Sequence, residues 1–206
     1  MIYKNINYID AHSHIKTNNS FFCTSELLPK NLIDYSLLSK EELAYKYSFT
    51  SEIGLDRRYI KDINLNTQLS FFEYFFDYLV SKFHSVSLHC VKETETMINF
   101  LSNKKFIKYS ILWHGFTGSF EIAERLEKLG VIISINSRKI NDFKEYKLSN
   151  KYSVIETDYD GNNLADYYKL LDYNYSVASS KLGITKDYLS KICEESLNIF
   201  KINLDK

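Results

Sequence analysis

The sequence predicts an α/β fold in which a parallel sheet closes into a TIM-type (β/α) barrel. Short apolar runs alternate with longer amphipathic stretches along the chain, an order typical of parallel strands joined by helical crossovers. That order fits an open doubly wound sheet as well as a barrel. The barrel is favoured because polar side chains suited to binding metal ions follow several of the apolar runs, and the carboxyl ends of barrel strands ring one mouth.

Six apolar runs have the length of a buried strand. They cover residues 7–11, 47–53, 86–89, 109–114, 131–136 and 153–157, and a weaker candidate covers residues 20–24. Five helical patterns fill the stretches between and after them. Their predicted bounds are 67–83, 93–103, 119–129, 163–182 and 185–200. Ser119 and Thr185 are residue types typical of N-caps, and Gly130 and Gly183 are typical of helix ends.

The length and composition limit the expected number of domains, the binding partners and the cellular compartment. The 206 residues are enough for one domain, so we expect residues 1–206 to form a single unit. The 26 basic and 26 acidic side chains give zero net charge, which argues against binding nucleic acid through bulk charge. Three cysteines without a paired motif indicate a reducing compartment. A signal-peptide pattern and a long apolar run are both missing, so we expect a cytoplasmic protein without a membrane partner.

Four of the five histidines follow or end a predicted strand. His12 and His14 close the first strand, and residues two apart on a strand point to the same side, so both imidazoles can grip one cation. A single histidine at a strand end, or a lone His-x-His pair, is a weak signal. Six strong ligands from five strands are much harder to explain otherwise. The ligands expected at one mouth are His12, His14, Glu52, His89, His114 and Asp158.

Imidazole and carboxylate ligands suit transition metals better than Ca²⁺. We therefore expect one or two divalent metal ions, with Zn, Mn, Mg and Ni as candidates. Three basic residues lie just beyond ligand-bearing strand ends and are candidates for contacts with phosphates, although basic residues in loops are commonly only solvated. They are Arg57, Arg58 and Lys92.

The segments that contain these candidate ligands resemble motifs of the TatD family of metal-dependent deoxyribonucleases. The matching segments are Ile-Asp-Ala-His-Ser-His at 9–14, Ser-Glu-Ile-Gly-Leu-Asp at 51–56, Leu-His-Cys at 88–90, Trp-His-Gly-Phe-Thr-Gly-Ser at 113–119 and Ile-Glu-Thr-Asp at 155–158. They occur in the family's order and cover nearly the whole chain. The second and fourth segments together are highly specific.

The resemblance implies a TIM-type barrel that hydrolyses phosphodiester bonds in DNA, taken as single strands or at 3′ ends. It implies that His12, His14 and Asp158 hold one ion. The other ion would lie between His89 and His114, and Glu52 would bridge the two. Asp158 would also act as the base toward water, so the expected catalytic residues are Asp158 and Glu52.

The chain departs from the family in the span before Glu52. Only about forty residues separate His14 from Glu52, whereas a typical member has roughly twice that number, at about 30–40 residues for each strand-plus-helix unit. One βα unit is therefore expected to be missing or collapsed, and the barrel to have seven strands. The proline that usually follows the last motif is also absent, since Tyr159 follows Asp158.

Two other functions remain open. One is a metallohydrolase acting on an amide or a small phosphoester, although many amidohydrolase-type barrels bridge their metals with a lysine where this chain has Glu52. No histidine follows His114, which counts against phosphoesterases of the polymerase and histidinol phosphatase type. The other is a largely non-catalytic subunit of a larger complex, such as a defence system. The sequence is compatible with a monomer and with protein partners.

Overall fold

Parallel strands and helices alternate along the protein, as the pattern of apolar runs predicts. The computed structural model describes residues 7–23, 26–31, 52–83, 85–104, 110–137 and 153–204. The strands within these ranges are β1 (Asp10–Ser13), β2 (Ser20–Cys23), β3 (Glu26–Leu27), β4 (Glu52–Asp56), β5 (Ser85–Val91), β6 (Ser110–Trp113), β7 (Val131–Ile135) and β8 (Ser153–Ile155). The helices are α1 (Leu65–Phe83), α2 (Thr94–Ser102), α3 (Phe120–Lys128), α4 (Leu164–Leu182) and α5 (Lys186–Leu204).

The five predicted helices are confirmed, with bounds shifted by a few residues. Ser119 caps α3 by accepting a hydrogen bond from the amide of Ile122, and Gly183 ends α4 in the left-handed conformation. The largest difference is at α5, which continues to Leu204 rather than ending at residue 200. No helix in the described ranges combines the length and apolar character needed to cross a membrane.

The strands form a TIM-type α/β fold in which all pairs are parallel. Strands β3 to β8 pair in chain order, and β1 pairs with β2. Residues 24 and 25, between β2 and β3, lie outside the described ranges; β2 pairs with β1, and β3 pairs with β4. At the other side, the amide of Asp158 donates to the carbonyl of His12 at 3.0 Å, so the chain beyond β8 lies against β1. Within the described ranges the strands form a two-stranded and a six-stranded parallel sheet, and the count of seven barrel strands stays a prediction.

The connection between β1 and β2 contains no helix. Parallel strands normally need a crossover of a dozen or more residues, whereas residues 14–19 alone join Ser13 to Ser20. Side-chain hydrogen bonds hold this short turn together. The Thr17 hydroxyl lies 2.9 Å from that of Ser20 and donates to the hydroxyl of Tyr167 on α4 at 3.1 Å. This turn is one place where the chain is shorter than a full βα unit.

Two strand predictions need correction. Glu52 was expected to end a strand over residues 47–53, but it is the first residue of β4, and residues 47–51 lie outside the described ranges. The first strand was expected over residues 7–11 with His12 and His14 closing it, but β1 covers Asp10–Ser13, so His12 lies within the strand and His14 follows it. Both shifts arise because hydrogen bonding to the neighbouring strand sets the strand bounds, and a run of apolar residues does not specify that register.

The helices cover the sheet with an apolar layer rich in aromatic rings. Phe72 and Phe76 on α1 pack against Phe100 on α2, with ring centroids 4.7 Å and 5.1 Å from that of Phe100. On the opposite end of the chain, Tyr167 and Tyr175 of α4 are fully buried. This packing holds the strand ends that carry the polar residues in fixed positions.

Gly54 allows β4 and β5 to approach each other closely. It stands opposite His89 in the strand register, and a Cβ at residue 54 would lie only 1.7 Å from the backbone oxygen of His89. Because the obstacle is backbone rather than a flexible side chain, the strands would have to separate. The sheet therefore requires glycine at this position.

We expect Gly54→Ala to destabilise the protein by at least about 3 kcal/mol, the upper part of the range for overpacked sites. Gly130→Ala is the matched control, because Gly130 has a φ of +73° with nothing within 4 Å of an added Cβ. Its cost should be limited to about 1–2 kcal/mol for the left-handed conformation. Urea unfolding of both variants measures the difference, and equal losses of stability would contradict the expected clash.

Candidate metal centre

Six side chains from five parts of the sheet converge at one site. His12 lies in β1 and His14 directly follows it, Glu52 begins β4, and His89 lies in β5. His114 is the first residue after β6, and Asp158 lies three residues beyond β8. The expectation that each would stand at a strand's carboxyl end is wrong for Glu52. Even so, Glu52 reaches the other residues because its neighbour across the sheet, Ser87, lies just before His89.

Glu52 is at the centre of the site, and its two oxygens face different pairs of histidines. Oε2 lies 3.5 Å from Nε2 of His12 and 3.5 Å from Nε2 of His14. Oε1 lies 2.8 Å from Nδ1 of His89 and 2.8 Å from Nε2 of His114. The carboxylate is only 2 % exposed, so it links the two pairs within a nearly dry interior.

Asp158 closes the side of the site nearest to solvent. Its Oδ1 lies 3.5 Å from Nε2 of His14 and 3.7 Å from Nε2 of His12, and its side chain is 34 % exposed. The backbone of Asp158 has a φ of +51°, which is unusual for a residue with a side chain. Its amide is held by the carbonyl of His12, and conformations of this kind cluster at functional sites.

The charges of the site are strongly coupled in the protein alone. Burial, and then the charge of His114, lower the pKa of His12 to about 4. Burial would also lower the pKa of His114, but the charge of Glu52 and a hydrogen bond with it raise that pKa to about 10. Burial would raise the pKa of Glu52, but His114 brings it well below its ordinary value. The pKa values of Glu52 and His114 thus shift in opposite directions because each stabilises the charge of the other.

These residues fit a divalent cation. Three combinations, His12 with His14 and Glu52, His12 with His114 and Asp158, and Glu52 with His89 and His114, bring their possible ligand atoms within 4.8 Å of one another. Two ligands about 2.1 Å from a tetrahedral ion stand about 3.4 Å apart, close to the 3.5 Å between Glu52 Oε2 and each of the first two histidines. That oxygen is buried without a hydrogen-bonding partner in the described part of the chain, an arrangement that a cation would compensate.

Buried polar side chains contact the ring nitrogens of two candidate ligands that do not face Glu52. The Ser87 hydroxyl lies 2.9 Å from Nδ1 of His12, and Asp56 Oδ2 lies 3.1 Å from Nε2 of His89. Below His114, Glu156 accepts a hydrogen bond from the amide of Gly115 at 2.8 Å. Burial raises the pKa of Glu156 above its ordinary value.

Ser87 and Asp56 were not among the residues expected at this site. Strand alternation offered a signal for both, because residues 52, 54 and 56 share one face of β4, and residues 87 and 89 share one face of β5. Asp56 therefore lies on the same side as Glu52. What the sequence could not supply was the register that sets Gly54 opposite His89.

The three basic candidates are exposed and are not among the six converging side chains. Arg57 donates to Glu93 at 2.9 Å, and Arg58 makes several hydrogen bonds to Asp56. Both arginines remain more than half exposed, at 55 % and 58 %. Lys92 is exposed directly after β5 and has a φ of +59°.

Comparison with known proteins identifies a family and two solved structures of similar fold. The sequence model of the TatD-related DNase family matches residues 29–198, a range that includes Glu52, His89, His114 and Asp158 but not the His-x-His pair. The structure is similar to that of YjjV, a TatD homologue from Escherichia coli, with a TM-score of 0.64 and 21 % identity, covering 85 % of this chain and 75 % of that one.

A TatD-family hydrolase from Entamoeba histolytica has the same TM-score of 0.64 at 17 % identity, covering 84 % of this chain and 71 % of that one. At these identities the likeness to solved structures bears on the fold alone. A search among curated proteins found no match. The family match spans most of the sequence, and the protein therefore belongs to the family of TatD-related DNases.

Proposed function

We propose that the protein is a metal-dependent deoxyribonuclease that hydrolyses phosphodiester bonds in DNA. The observation that carries the proposal is Glu52, whose two oxygens face two separate pairs of histidine nitrogens. The family match supports DNA as the substrate. One or two divalent ions, of Zn, Mn, Mg or Ni, would be held by His12, His14, Glu52, His89, His114 and Asp158.

Divalent ions at this site would neutralise charge on the phosphoryl oxygens and lower the pKa of water. Within the protein, Asp158 is the carboxylate best placed to receive a proton, because its side chain is 34 % exposed and that of Glu52 only 2 %. Burial would raise the pKa of Asp158, but a hydrogen bond with His14 lowers it, so the carboxylate is ionised at neutral pH.

In the proposed reaction, Asp158 takes a proton from water as the water oxygen bonds to phosphorus. The ester bond between phosphorus and the leaving oxygen breaks, and that oxygen gains a proton from solvent. Glu52 holds its four histidine partners in place and does not need to reach the substrate. The exposed side chains of Arg57, Arg58 and Lys92 would contact flanking phosphates, which position DNA without reading its sequence. We propose that this takes place in the cytoplasm, where Cys90 and Cys193 remain as free thiols.

We expect the purified protein to cleave single-stranded oligonucleotides when Zn²⁺, Mn²⁺, Mg²⁺ or Ni²⁺ is supplied, and to lose activity with a chelator. Single- and double-stranded DNA, RNA of the same sequence, p-nitrophenyl phosphate and a small amide would be compared. End-labelled DNA shows whether products shorten from the 3′ end. Turnover of the small phosphoester or amide with every nucleic acid left intact would overturn the proposed substrate. Absence of turnover with every substrate in a metal-loaded protein would favour a non-catalytic subunit.

A further inference from the structure

His89 lies between two buried carboxylates. Nδ1 of its ring is 2.8 Å from Oε1 of Glu52, and Nε2 is 3.1 Å from Oδ2 of Asp56. Near Glu52, His12, His14 and His114 present Nε2, whereas His89 presents Nδ1. A neutral imidazole has one N–H and one lone pair. The group bonded to one nitrogen therefore decides whether the other can bind a cation.

Both carboxylates that contact His89 come from the same face of β4. Glu52, Gly54 and Asp56 alternate along that strand, and Gly54 stands opposite His89 in the register. The missing side chain at Gly54 allows the backbone of His89 to lie against the strand. The imidazole of His89 therefore contacts the carboxylates of Glu52 and Asp56, which stand on either side of Gly54 along β4. The side chain of Asp56 is fully buried in this contact.

Arg58 fixes the orientation of the Asp56 carboxylate. The Nε of Arg58 donates to Oδ1 at 2.9 Å and to Oδ2 at 3.0 Å, and its backbone amide donates to Oδ1 at 2.9 Å. The terminal Nη2 of the same guanidinium also bonds to Oδ2. An arginine that grips a carboxylate with several N–H groups gives it a defined direction. Oδ2 of Asp56 is thereby directed at the ring of His89.

We propose that Asp56 is a positioning residue, which holds the N–H of His89 at Nε2 and so leaves the lone pair of Nδ1, the nitrogen that faces Glu52, available to bind a divalent ion. The inference rests on the proposed function, since it requires an ion between Glu52, His89 and His114. A hydrogen bond from a metal-binding histidine to a carboxylate orients the ring and makes it a better ligand. Arg58 acts through Asp56, in addition to any contact with phosphate.

The test measures Zn²⁺ binding by isothermal titration calorimetry in the metal-free protein and in Asp56→Asn. We expect the affinity of one of the two ions to fall by about 10–100-fold, the usual effect of removing such a partner. Glu93→Gln is the matched control, because Glu93 is a buried carboxylate that also binds an arginine, Arg57, and its other hydrogen-bond partner is Thr96 rather than a histidine of the site. The control should bind Zn²⁺ as the wild type does.

A second measurement does not depend on whether Asp56→Asn folds. Long-range ¹H–¹⁵N spectra of the Zn²⁺-loaded wild type identify the nitrogen of His89 that keeps its proton, and we expect Nε2. A proton on Nδ1, or unchanged Zn²⁺ affinity in folded Asp56→Asn, would overturn this inference and leave the proposed function standing. Failure of the wild type to bind any of the candidate metals would overturn both. Neither readout requires DNA cleavage.

Discussion

Asp158→Asn should lower the rate of DNA hydrolysis by at least about 10²–10⁴-fold, the usual cost of losing a general base. Asparagine keeps the size of the side chain but cannot accept the proton, and it is a poorer ligand beside His12 and His14, to which Asp158 now lies within 3.7 Å. Loss of an ion would add to the fall in rate. The fold and the binding of substrate should survive, because the carboxylate is partly exposed. Steady-state rates with metal content measured alongside test this.

Glu156→Gln is the control for that experiment. Glu156 lies two residues before Asp158 and binds the amide of Gly115 and the hydroxyl of Ser134 rather than the candidate ligands. Glutamine can still accept one of these hydrogen bonds, so the variant should lose the net free energy of one hydrogen bond, about 1 kcal/mol. A loss of that size corresponds to a fall of about fivefold in the rate of hydrolysis. If Asp158→Asn kept near-normal rates, Asp158 would not be the base and the proposed reaction would have to be withdrawn.

Glu52→Gln should abolish tight metal binding at both positions and hydrolysis with it. Each oxygen of Glu52 serves one pair of histidines, so loss of the negative charge affects both pairs at once. In the wild type, a metal at 100 times its dissociation constant should raise the free energy of unfolding by about 2.7 kcal/mol. That increase should vanish in Glu52→Gln. Thermal unfolding with and without Zn²⁺ measures it directly.

The comparison within each variant removes the effect of the substitution on the metal-free protein. Glu95→Gln supplies a matched control, since Glu95 is an exposed acid on α2 that pairs with Arg125, outside the site. It should show the full metal-dependent increase in stability. If metal raised the free energy of unfolding of Glu52→Gln as much as that of the wild type, Glu52 would not bridge the ions.

Much of the fold could be predicted from the sequence because its signals are local. The helix periodicity of residues 67–83, the N-cap at Ser119 and the glycine after residue 182 depend on neighbouring residues, and these elements form as expected. The bounds of the strand that carries Glu52 were harder to predict. The apolar run 47–53 contains the same residues whether Glu52 ends one strand or begins the next, and only pairing with β5 decides.

The supporting contacts of the site could not be predicted for the same reason. Asp56 and His89 are 33 residues apart, and the hydrogen bond between them depends on the register of two strands. Arg58 was expected to contact phosphate because it follows a strand end, and that role stays a prediction; its hydrogen bonds to Asp56 could not be read from the sequence. Residue type and strand position thus predicted candidate ligands that lie close together in the structure, whereas the partners of those ligands required coordinates.

The contact between β1 and the chain after β8 also governs when the site can form during folding. His12 and His14 are among the first residues of the chain, while the hydrogen bond from the Thr157 amide to Asp10 spans 147 positions. Closing a loop of that length costs about 4 kcal/mol in chain entropy on the logarithmic scaling, and such distant contacts form late. On the ribosome, therefore, His12 and His14 are made long before Asp158, and the six candidate metal ligands come together only after residue 158 has been synthesised.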